Sequence, residues 1–228
     1  MPLDVVAPEL WSVVHPMRFP GGVRMPARMT IVRLGGGELL IHSPVPIDDA
    51  LAGEIAALGP VRYVLAPNCF HHLYVGPLSL RFPEAQLYGA PGLVEKRRDI
   101  NFAGTLGNGT APWGETLEAI ALRGVPKTNE VVFFHRPSRT LLVTDVLFNV
   151  TAPETWVTAL TLRILGTYKR LGPSRVLRFL TKDRKALRPG IERMLDWDFT
   201  RVVPAHGSVY EGTDARDRVR AGFDWILA

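Results

Sequence analysis

The chain has 228 residues, of which 46% are hydrophobic and 21% charged, and its formal net charge is +5. This composition is typical of a globular protein with one large core, and we expect a single domain over residues 1–228. There is no apolar run of about 18 residues and no signal-peptide pattern at the N-terminus, so we expect a cytoplasmic protein. The single cysteine excludes an internal disulfide and a zinc site with several thiolates.

Strands joined by tight turns are predicted for the first part of the chain. Residues 10–16 form one strand, and residues 28–34 and 37–43 form a hairpin around three glycines that permit a positive φ. Residues 46–60 have helical spacing of apolar residues and end at Gly-Pro. Asp48 is the predicted N-terminal cap of this helix, because its carboxylate can accept a hydrogen bond from the first turn.

A continuously apolar strand is predicted at residues 61–67, and its composition indicates a buried position in a sheet. The stretch LAPNCFHHLYVG, residues 65–76, then places Cys69 close to His71 and His72. Because enzymes built on sheets commonly carry their sites on loops after strands, this loop is a candidate site.

The middle of the chain continues as strands and loops. Residues 85–91 predict a strand, residues 104–114 a glycine-rich loop, and residues 116–125 only a weak strand pattern. Residues 130–145 read as a hairpin of β-branched and aromatic residues, and Asp145 follows its second strand.

The pattern becomes helical over residues 155–195, with a Gly-Pro break inside it. Residues 200–207 form the last predicted strand, which leads His206 into a loop. Residues 214–228 predict a closing amphipathic helix.

Four side chains with metal-binding groups therefore lie just past predicted strands: His71, His72, Asp145 and His206. Neutral imidazoles and a carboxylate suit zinc, iron or manganese. Strand ends that share one edge of a sheet would bring such ligands together. Each residue taken alone is as readily explained by a turn or a buried polar group.

The order and spacing of these motifs resemble the metallo-β-lactamase fold superfamily over nearly the whole chain. The segments VLAPNCFHH, GVPKTNEVVFF, TLLVTD and VVPAHG correspond to its H-x-H-x-D-H motif, its histidine turn, its strand-ending aspartate and its last histidine loop. More narrowly, the chain resembles an uncharacterised branch labelled as a domain of unknown function. The resemblance implies an α/β fold, a four-layer αβ/βα sandwich with two mixed β-sheets flanked by helices.

The chain departs from the family at the first metal position. A gapless placement puts Pro67 and Cys69 where the family has its first two histidines, and Lys127 where the family has the histidine of the second motif. His71 then occupies the aspartate position, but a shift of one residue gives that position to His72, and both placements remain open. The resemblance implies one remaining metal position with four candidate ligands: His71, His72, Asp145 and His206.

The resemblance implies a hydrolase with one divalent metal, zinc before iron or manganese, acting on a small-molecule ester, lactone, thioester or phosphoester. Asp145 is the candidate base if the metal does not engage it fully, and Lys127 is either a catalytic positive charge or an exposed loop lysine. The alternative is a degenerate, non-catalytic binding or sensing protein, because the motif has lost its carboxylate. A redox protein with iron is a third interpretation, which the incomplete two-iron ligand set disfavours.

Two further residues are candidates for supporting roles. His42 follows the hairpin strand, where the superfamily has an aspartate, and is either a hydrogen-bond donor to the site or a buried structural histidine. Cys69 is either a soft additional ligand or a small buried apolar residue.

Basic residues are concentrated in residues 155–194, which contain ten Lys or Arg and two acids, while the rest of the chain is net negative. Because the charge is local and no nucleic-acid motif accompanies it, nucleic-acid binding is not predicted. One interpretation is ordinary helices with a solvated face. Another is a helical cover at 151–198 that attracts an anionic small-molecule substrate through Arg163, Lys169 and Arg170, and a third is contact with a membrane surface.

Overall fold

A computed structural model describes residues 1–107 and 111–228, and in them two β-sheets form the centre of the molecule. The strands of the first sheet, in order across it, are β1 (Asp4–Ala7), β2 (Leu10–Arg18), β3 (Arg24–Arg33), β4 (Leu39–His42), β5 (Val61–Ala66), β6 (Gln86–Gly89) and β7 (Gly104–Thr105). Those of the second sheet are β12 (Tyr210–Glu211), β11 (Arg201–Pro204), β10 (Thr140–Val143), β9 (Val131–His135) and β8 (Leu117–Ala121).

Both sheets are mixed. Strands β1 to β4 are antiparallel and β4 to β7 parallel, while in the second sheet only β10 and β11 are parallel. The predicted glycine hairpin is the β3–β4 pair, and the predicted aromatic hairpin is the β9–β10 pair.

Helices cover the outer face of each sheet. They are α1 (Asp49–Leu58), α2 (Val75–Arg81), α3 (Leu93–Lys96), α4 (Trp156–Leu165), α5 (Arg175–Leu180), α6 (Arg184–Asp196), α7 (Ala215–Gly222) and α8 (Asp224–Leu227). The first three pack on the first sheet, and α5 to α8 pack on the second. As predicted, Asp48 caps α1 by accepting a hydrogen bond from the Leu51 amide at 2.8 Å.

A third apolar cluster fills the space between the sheets. Leu40 and Leu65 come from the first sheet and meet Phe133 and Leu142 from the second, all fully buried. Each such side chain contributes roughly 1.5–3 kcal/mol when it is removed from water. Because β4 and β5 are covered on both faces, their sequences are largely apolar rather than alternating, with exposed Arg62 near the start of β5 as an exception.

The buried guanidinium of Arg28 ties the two sheets together at the edge where the strands lead into loops. Arg28, on β3, donates to Ser12 Oγ at 2.8 Å, to the Pro204 carbonyl at 3.2 Å and to the Gly207 carbonyl at 2.7 Å. Gly207 has a φ of 106°, and a Cβ there would lie 2.2 Å from the Asn149 carbonyl oxygen. Glycine is therefore required for the chain to pass this close after β11.

Some predicted elements differ in detail. The predicted closing helix is two helices, because the backbone of Phe223 leaves the helical path between α7 and α8. A two-residue strand, β12, follows the strand predicted to be last. The predicted glycine-rich loop at 104–114 begins with β7, and residues 108–110 of that prediction lie outside the described residues. In the part of the chain described, no helix is both long and apolar enough to cross a bilayer.

Candidate metal centre

Three predicted ligands converge where loops leave the two sheets. His71 follows β5 in the first sheet, whereas Asp145 and His206 follow the parallel strands β10 and β11 of the second sheet. The two Nε2 atoms of the histidines lie 3.2 Å apart. Asp145 Oδ2 lies 3.4 Å from the His71 Nε2, and Asp145 Oδ1 lies 3.3 Å from the His206 Nε2.

The other ring nitrogen of each histidine is held by a supporting hydrogen bond. His206 Nδ1 donates to the Pro26 carbonyl at 2.8 Å, which leaves Nε2 as the lone-pair nitrogen of the neutral ring. His71 Nδ1 lies 2.9 Å from Ser43 Oγ. Ser43 has a left-handed φ of 57°, so this turn after β4 directs its hydroxyl toward the ring. Phe148 stacks on His206 with an interplanar angle of 14° and fixes that ring further.

Asn68 organises the loop between β5 and His71. Its buried side-chain oxygen accepts hydrogen bonds from the amides of Phe70 and His71 at 2.8 and 2.7 Å. Its side-chain nitrogen donates to Asp145 Oδ2 at 2.7 Å and to Thr144 Oγ1 at 2.9 Å. One amide therefore sets the turn that aims His71 and also orients the carboxylate that His71 faces.

A second buried carboxylate, Glu130, lies beneath this arrangement. It accepts hydrogen bonds from the backbone amides of Thr144 and Asp145 at 2.7 and 2.9 Å. Burial, and after it the charge of Asp145, raise the pKa of Glu130 to about 7. Glu130 thus fixes the backbone that carries Asp145 and adds acidic character below the cluster.

The charges at the centre favour a cation. Burial alone would raise the pKa of Asp145, but the charge of His71 and the hydrogen bonds that His206 and His71 donate when protonated outweigh it and hold that pKa well below its usual range. Burial lowers the pKa of His206, yet its hydrogen bond to Asp145 and the charge of that carboxylate give a net increase. A carboxylate that stays ionised and raises the pKa of a neighbouring imidazole creates a negative potential that also favours a metal cation.

The spacing of the ligand atoms fits a small divalent metal. Zinc bound at 2.0–2.1 Å in tetrahedral geometry places its ligand atoms about 3.3 Å from one another. The three closest separations here are 3.2, 3.3 and 3.4 Å. Within the described residues, His71, Asp145 and His206 are the group whose ligand atoms come within 4.8 Å of one another. The two imidazole nitrogens therefore have the spacing of zinc ligands, and Asp145 places one oxygen close to each of them.

The cluster forms part of the lining of a cavity of about 270 Å³. Its other walls are mainly apolar, and they include Met17, Phe19, Met25, Phe70, Leu73 and Phe148. In the described residues that line it, His72 and Tyr74 are the polar side chains outside the cluster, and none is Lys or Arg. A ligand of the metal would enter this cavity along apolar walls.

His72, although it was predicted as a ligand, faces a different set of groups. Its Nε2 lies 3.1 Å from Lys96 Nζ, and its Nδ1 lies 2.8 Å from an Arg97 guanidinium nitrogen. Burial, and then the charges of Lys96 and Arg97, lower the pKa of His72. Both ring nitrogens are occupied by contacts to cationic side chains, so the structure does not bring His72 into the cluster. Of the two adjacent histidines, the structure brings only His71 into the cluster.

Three other predicted residues lie away from the cluster. Lys127 is exposed and does not line the cavity, which fits the loop-lysine interpretation rather than a catalytic charge. Cys69 is buried with its Sγ 3.5 Å from the Pro91 carbonyl, and burial raises the pKa of its thiol, so it packs as a small apolar residue. His42 packs edge-on against Phe133, and the hydroxyl that supports His71 comes from Ser43 instead.

The predicted substrate-binding cations do not reach the cavity. The Arg163 guanidinium stacks on the Tyr168 ring at 3.8 Å, while Lys169 and Arg170 border a separate surface groove beside β12 and α7. Most of the segment predicted as a cover, α5 and α6, packs its leucines on the second sheet. Steering of an anionic substrate by these three residues is therefore not supported by their positions.

Sequence reasoning did not assign roles to Asn68, Glu130 and Ser43. Asn68 directly follows the Ala-Pro end of a buried strand, and Glu130 directly precedes the apolar run of β9. A polar residue at the end of a buried strand has to find hydrogen-bond partners there, and that signal could have identified both. Ser43 has no such signal, because its role depends on a left-handed backbone.

Two mixed sheets packed between helices, with ligands at the ends of β5, β10 and β11, define a metallo-β-lactamase fold. A metallo-β-lactamase from Pontibacter korlensis superposes with a TM-score of 0.65 at 14% identity, covering 95% of each chain. The metallo-β-lactamase FIM-1 from Pseudomonas aeruginosa, in its mono-zinc form, gives 0.60 at 11% identity, covering all of this chain and 96% of that one. The Flv1 flavodiiron core from Synechocystis gives 0.68 at 12% identity, covering 99% of this chain and 60% of that one.

Residues 10–170 match the family model described as a domain of unknown function, DUF4336, and the chain belongs to that family. No curated protein matches this chain in sequence. At these identities the structural likeness establishes the fold alone, and the predicted α/β sandwich is confirmed. The residues of this chain therefore have to carry any argument about its reaction.

Proposed function

We propose that this protein is a hydrolase that binds one divalent metal through His71, Asp145 and His206. The observation that carries the proposal is that ligand atoms of these three residues, with closest separations of 3.2 to 3.4 Å, meet in the lining of a cavity. Two imidazoles and one carboxylate suit zinc, with iron or manganese as alternatives. Three protein ligands leave one coordination position for water or substrate, as in catalytic rather than structural sites.

The bound metal would supply Lewis acidity and lower the pKa of a water toward 7. The protein holds His206 in the required tautomer through the Pro26 carbonyl, positions the His71 ring through Ser43, and holds Asp145 through Asn68. The apolar walls favour an uncharged substrate such as an ester, lactone or thioester with an apolar group. A phosphoester ranks below these, because no Lys or Arg among the described cavity residues would match its negative charge.

Metal content and hydrolysis test the proposal together. Protein purified without an affinity tag should contain close to one equivalent of metal by elemental analysis. It should hydrolyse chromogenic esters, lactones or thioesters with apolar acyl groups, lose that activity with a chelator and regain it with zinc. The His206→Ala variant should lose metal and activity, whereas Phe70→Ala, which alters only the cavity wall, should keep its metal. Absence of metal after reconstitution would contradict the proposal.

A non-catalytic binding or sensing protein is the second candidate, and one observation favours it. Asp145 already contacts both histidines and Asn68. Glu130 is buried and accepts hydrogen bonds from two backbone amides. Neither carboxylate is therefore free to act as a base. One equivalent of metal, with binding of apolar ligands and no hydrolysis in any substrate class, would favour this candidate.

A further inference from the structure

Helices α4 and α5 carry a row of exposed apolar side chains. Trp156, Leu160 and Ile164 are spaced four residues apart and form one stripe on α4, while Thr158 and Leu162 face the protein. Val176 and Phe179 continue the exposed apolar surface on α5. Trp156 and Phe179 are each 77% exposed. Apolar side chains of this size, grouped on one face, indicate an interaction surface.

The same segment is purely cationic. Residues 155–182 contain six basic residues and no acid. They are Arg163, Lys169, Arg170, Arg175, Arg178 and Lys182, and all six are exposed. None of them forms an ion pair with a carboxylate in the residues that the structure describes, whereas Arg188, Arg201 and Arg218 nearby in sequence do.

Several of these cations rest on aromatic rings or beside the apolar stripe. Lys182 Nζ lies 5.9 Å from the centre of the Phe179 ring, and Arg175 donates to the Ile164 carbonyl at 3.0 Å, which joins the start of α5 to the end of α4. We call the exposed apolar side chains of α4 and α5, together with Arg163, Arg175 and Lys182 beside them, the α4–α5 face. Its composition differs from that of a solvated helix face, where acids and bases normally alternate.

We infer that the α4–α5 face docks onto an anionic membrane surface. Exposed Trp, Leu, Ile and Phe side chains enter the interfacial layer, and unneutralised Lys and Arg attract anionic lipid headgroups. The charge excludes a second copy of this chain as the favoured occupant, because two such faces would repel each other. The apolar stripe favours a bilayer over nucleic acid, which offers no layer for aliphatic side chains.

The start of α4 contacts a segment whose neighbouring residues line the cavity of the metal centre. Thr158 Oγ1 accepts a hydrogen bond from the Arg24 amide at 2.8 Å, and Thr155 Oγ1 donates to the Gly22 carbonyl at 3.4 Å. These contacts fix the start of α4 against the turn that follows Phe19, and Phe19 lines the cavity. Docking through α4 and α5 would therefore hold the cavity opening close to the lipid. The inference does not depend on hydrolysis, because vesicle binding can be measured on its own.

Sedimentation with vesicles at low ionic strength tests this inference. The wild-type protein should bind vesicles of phosphatidylcholine with phosphatidylglycerol and should bind pure phosphatidylcholine vesicles much less. Each Lys or Arg near an anionic surface strengthens binding about fivefold, so Arg163→Gln with Lys182→Gln should weaken binding about 25-fold. The matched control is Arg62→Gln with Arg136→Gln, which removes two exposed charges near the opposite ends of the strands and should bind like wild type.

Separate variants test the apolar stripe. Trp156→Ala and Ile164→Ala should each reduce vesicle binding roughly tenfold without changing the unfolding temperature, because both side chains are exposed. Unchanged binding in these variants, or no binding of the wild type to anionic vesicles, would overturn the inference. Duplex DNA binding that equals vesicle binding and is insensitive to Trp156→Ala would also overturn it, as would dimerisation that masks the same face.

Discussion

Two neighbouring histidines of one loop sit in regions of opposite charge. His71 faces the carboxylate of Asp145, while His72 contacts the cationic groups of Lys96 and Arg97. An ionised carboxylate beside an imidazole attracts a metal cation to the same place. Cations beside an imidazole keep the ring neutral, and their positive charge repels a metal ion. The comparison shows that the groups around an imidazole decide whether it can act as a ligand, even when two histidines are adjacent in sequence.

The largest expected difference is between two variants that each remove one of these imidazoles, His71→Ala and His72→Ala. His71→Ala takes away one of three metal ligands and should lower metal affinity by more than the 10- to 100-fold typical of lost supporting hydrogen bonds. His72→Ala should leave the metal content near one equivalent. Elemental analysis and competition with a chelator measure both variants. Equal metal loss in the two variants would show that the loop turns differently from the arrangement described.

Asn68→Ala should have the next largest effect, because it removes the side-chain amide that holds both the loop carrying His71 and the carboxylate of Asp145. The variant leaves the amides of Phe70 and His71 and the carboxylate of Asp145 without their partner. We expect a 10- to 100-fold loss of metal affinity and about 2–3 kcal/mol lower free energy of unfolding. Asn101→Ala, at an exposed position, is the matched control for both measurements. A stable variant with full metal affinity would refute this role.

His135 extends the comparison to an imidazole with no charged group in hydrogen-bonding contact. It lies far from the cluster beside Ser138, and burial, opposed weakly by the charge of Glu9, lowers its pKa to about 4. The unfolded chain binds a proton from about pH 6.5, while the folded protein does not until about pH 4. Folding stability is therefore lost as the pH falls through this window, by up to about 3 kcal/mol.

Urea unfolding at pH 7, 5.5 and 4.5 measures this effect. The His135→Gln variant should lose less stability than wild type over that range, whereas His15→Gln, at a partly exposed position, should follow wild type. Parallel curves for wild type and His135→Gln would place the acid sensitivity elsewhere.

The smallest effect is expected for Lys127, a cation that does not line the cavity. Lys127→Gln should leave metal content and activity unchanged and alter the free energy of unfolding by no more than about 0.5 kcal/mol. Lys127→His should likewise bind one metal and not two, because Pro67 and Cys69 cannot supply the other missing ligands. A second equivalent of metal in that variant would show that the first position is better preserved than its residues indicate.

Much of the fold follows from local patterns in the sequence. The glycines between β3 and β4, the Asp48 cap and the apolar run of β5 each have a direct physical reading, and the structure contains each of these elements. The position of three ligands follows from strand ends meeting at one edge. His72 could not be excluded in this way, because the direction of its side chain depends on hydrogen bonds that Asn68 makes within the turn.

The cavity and the basic segment show the limit of such reasoning. The cavity walls come from residues as far apart as Met17 and Phe148, and no local pattern assembles them. The cations at Arg163, Lys169 and Arg170 were predicted near the site because their segment precedes the last ligand in sequence. Their actual direction follows from how this segment packs against the second sheet through residues such as Leu171 and Leu177, which a one-dimensional pattern does not specify.

The ligands belong to different sheets, and His71 and His206 are separated by 135 residues. A metal bound to both would be a reversible cross-link across more than half of the chain. It would stabilise the folded state against the entropic cost of closing this loop. Free metal at one hundred times the dissociation constant would add about 2.7 kcal/mol to folding stability. The fraction of the protein that is folded would then depend on the concentration of free metal in its surroundings.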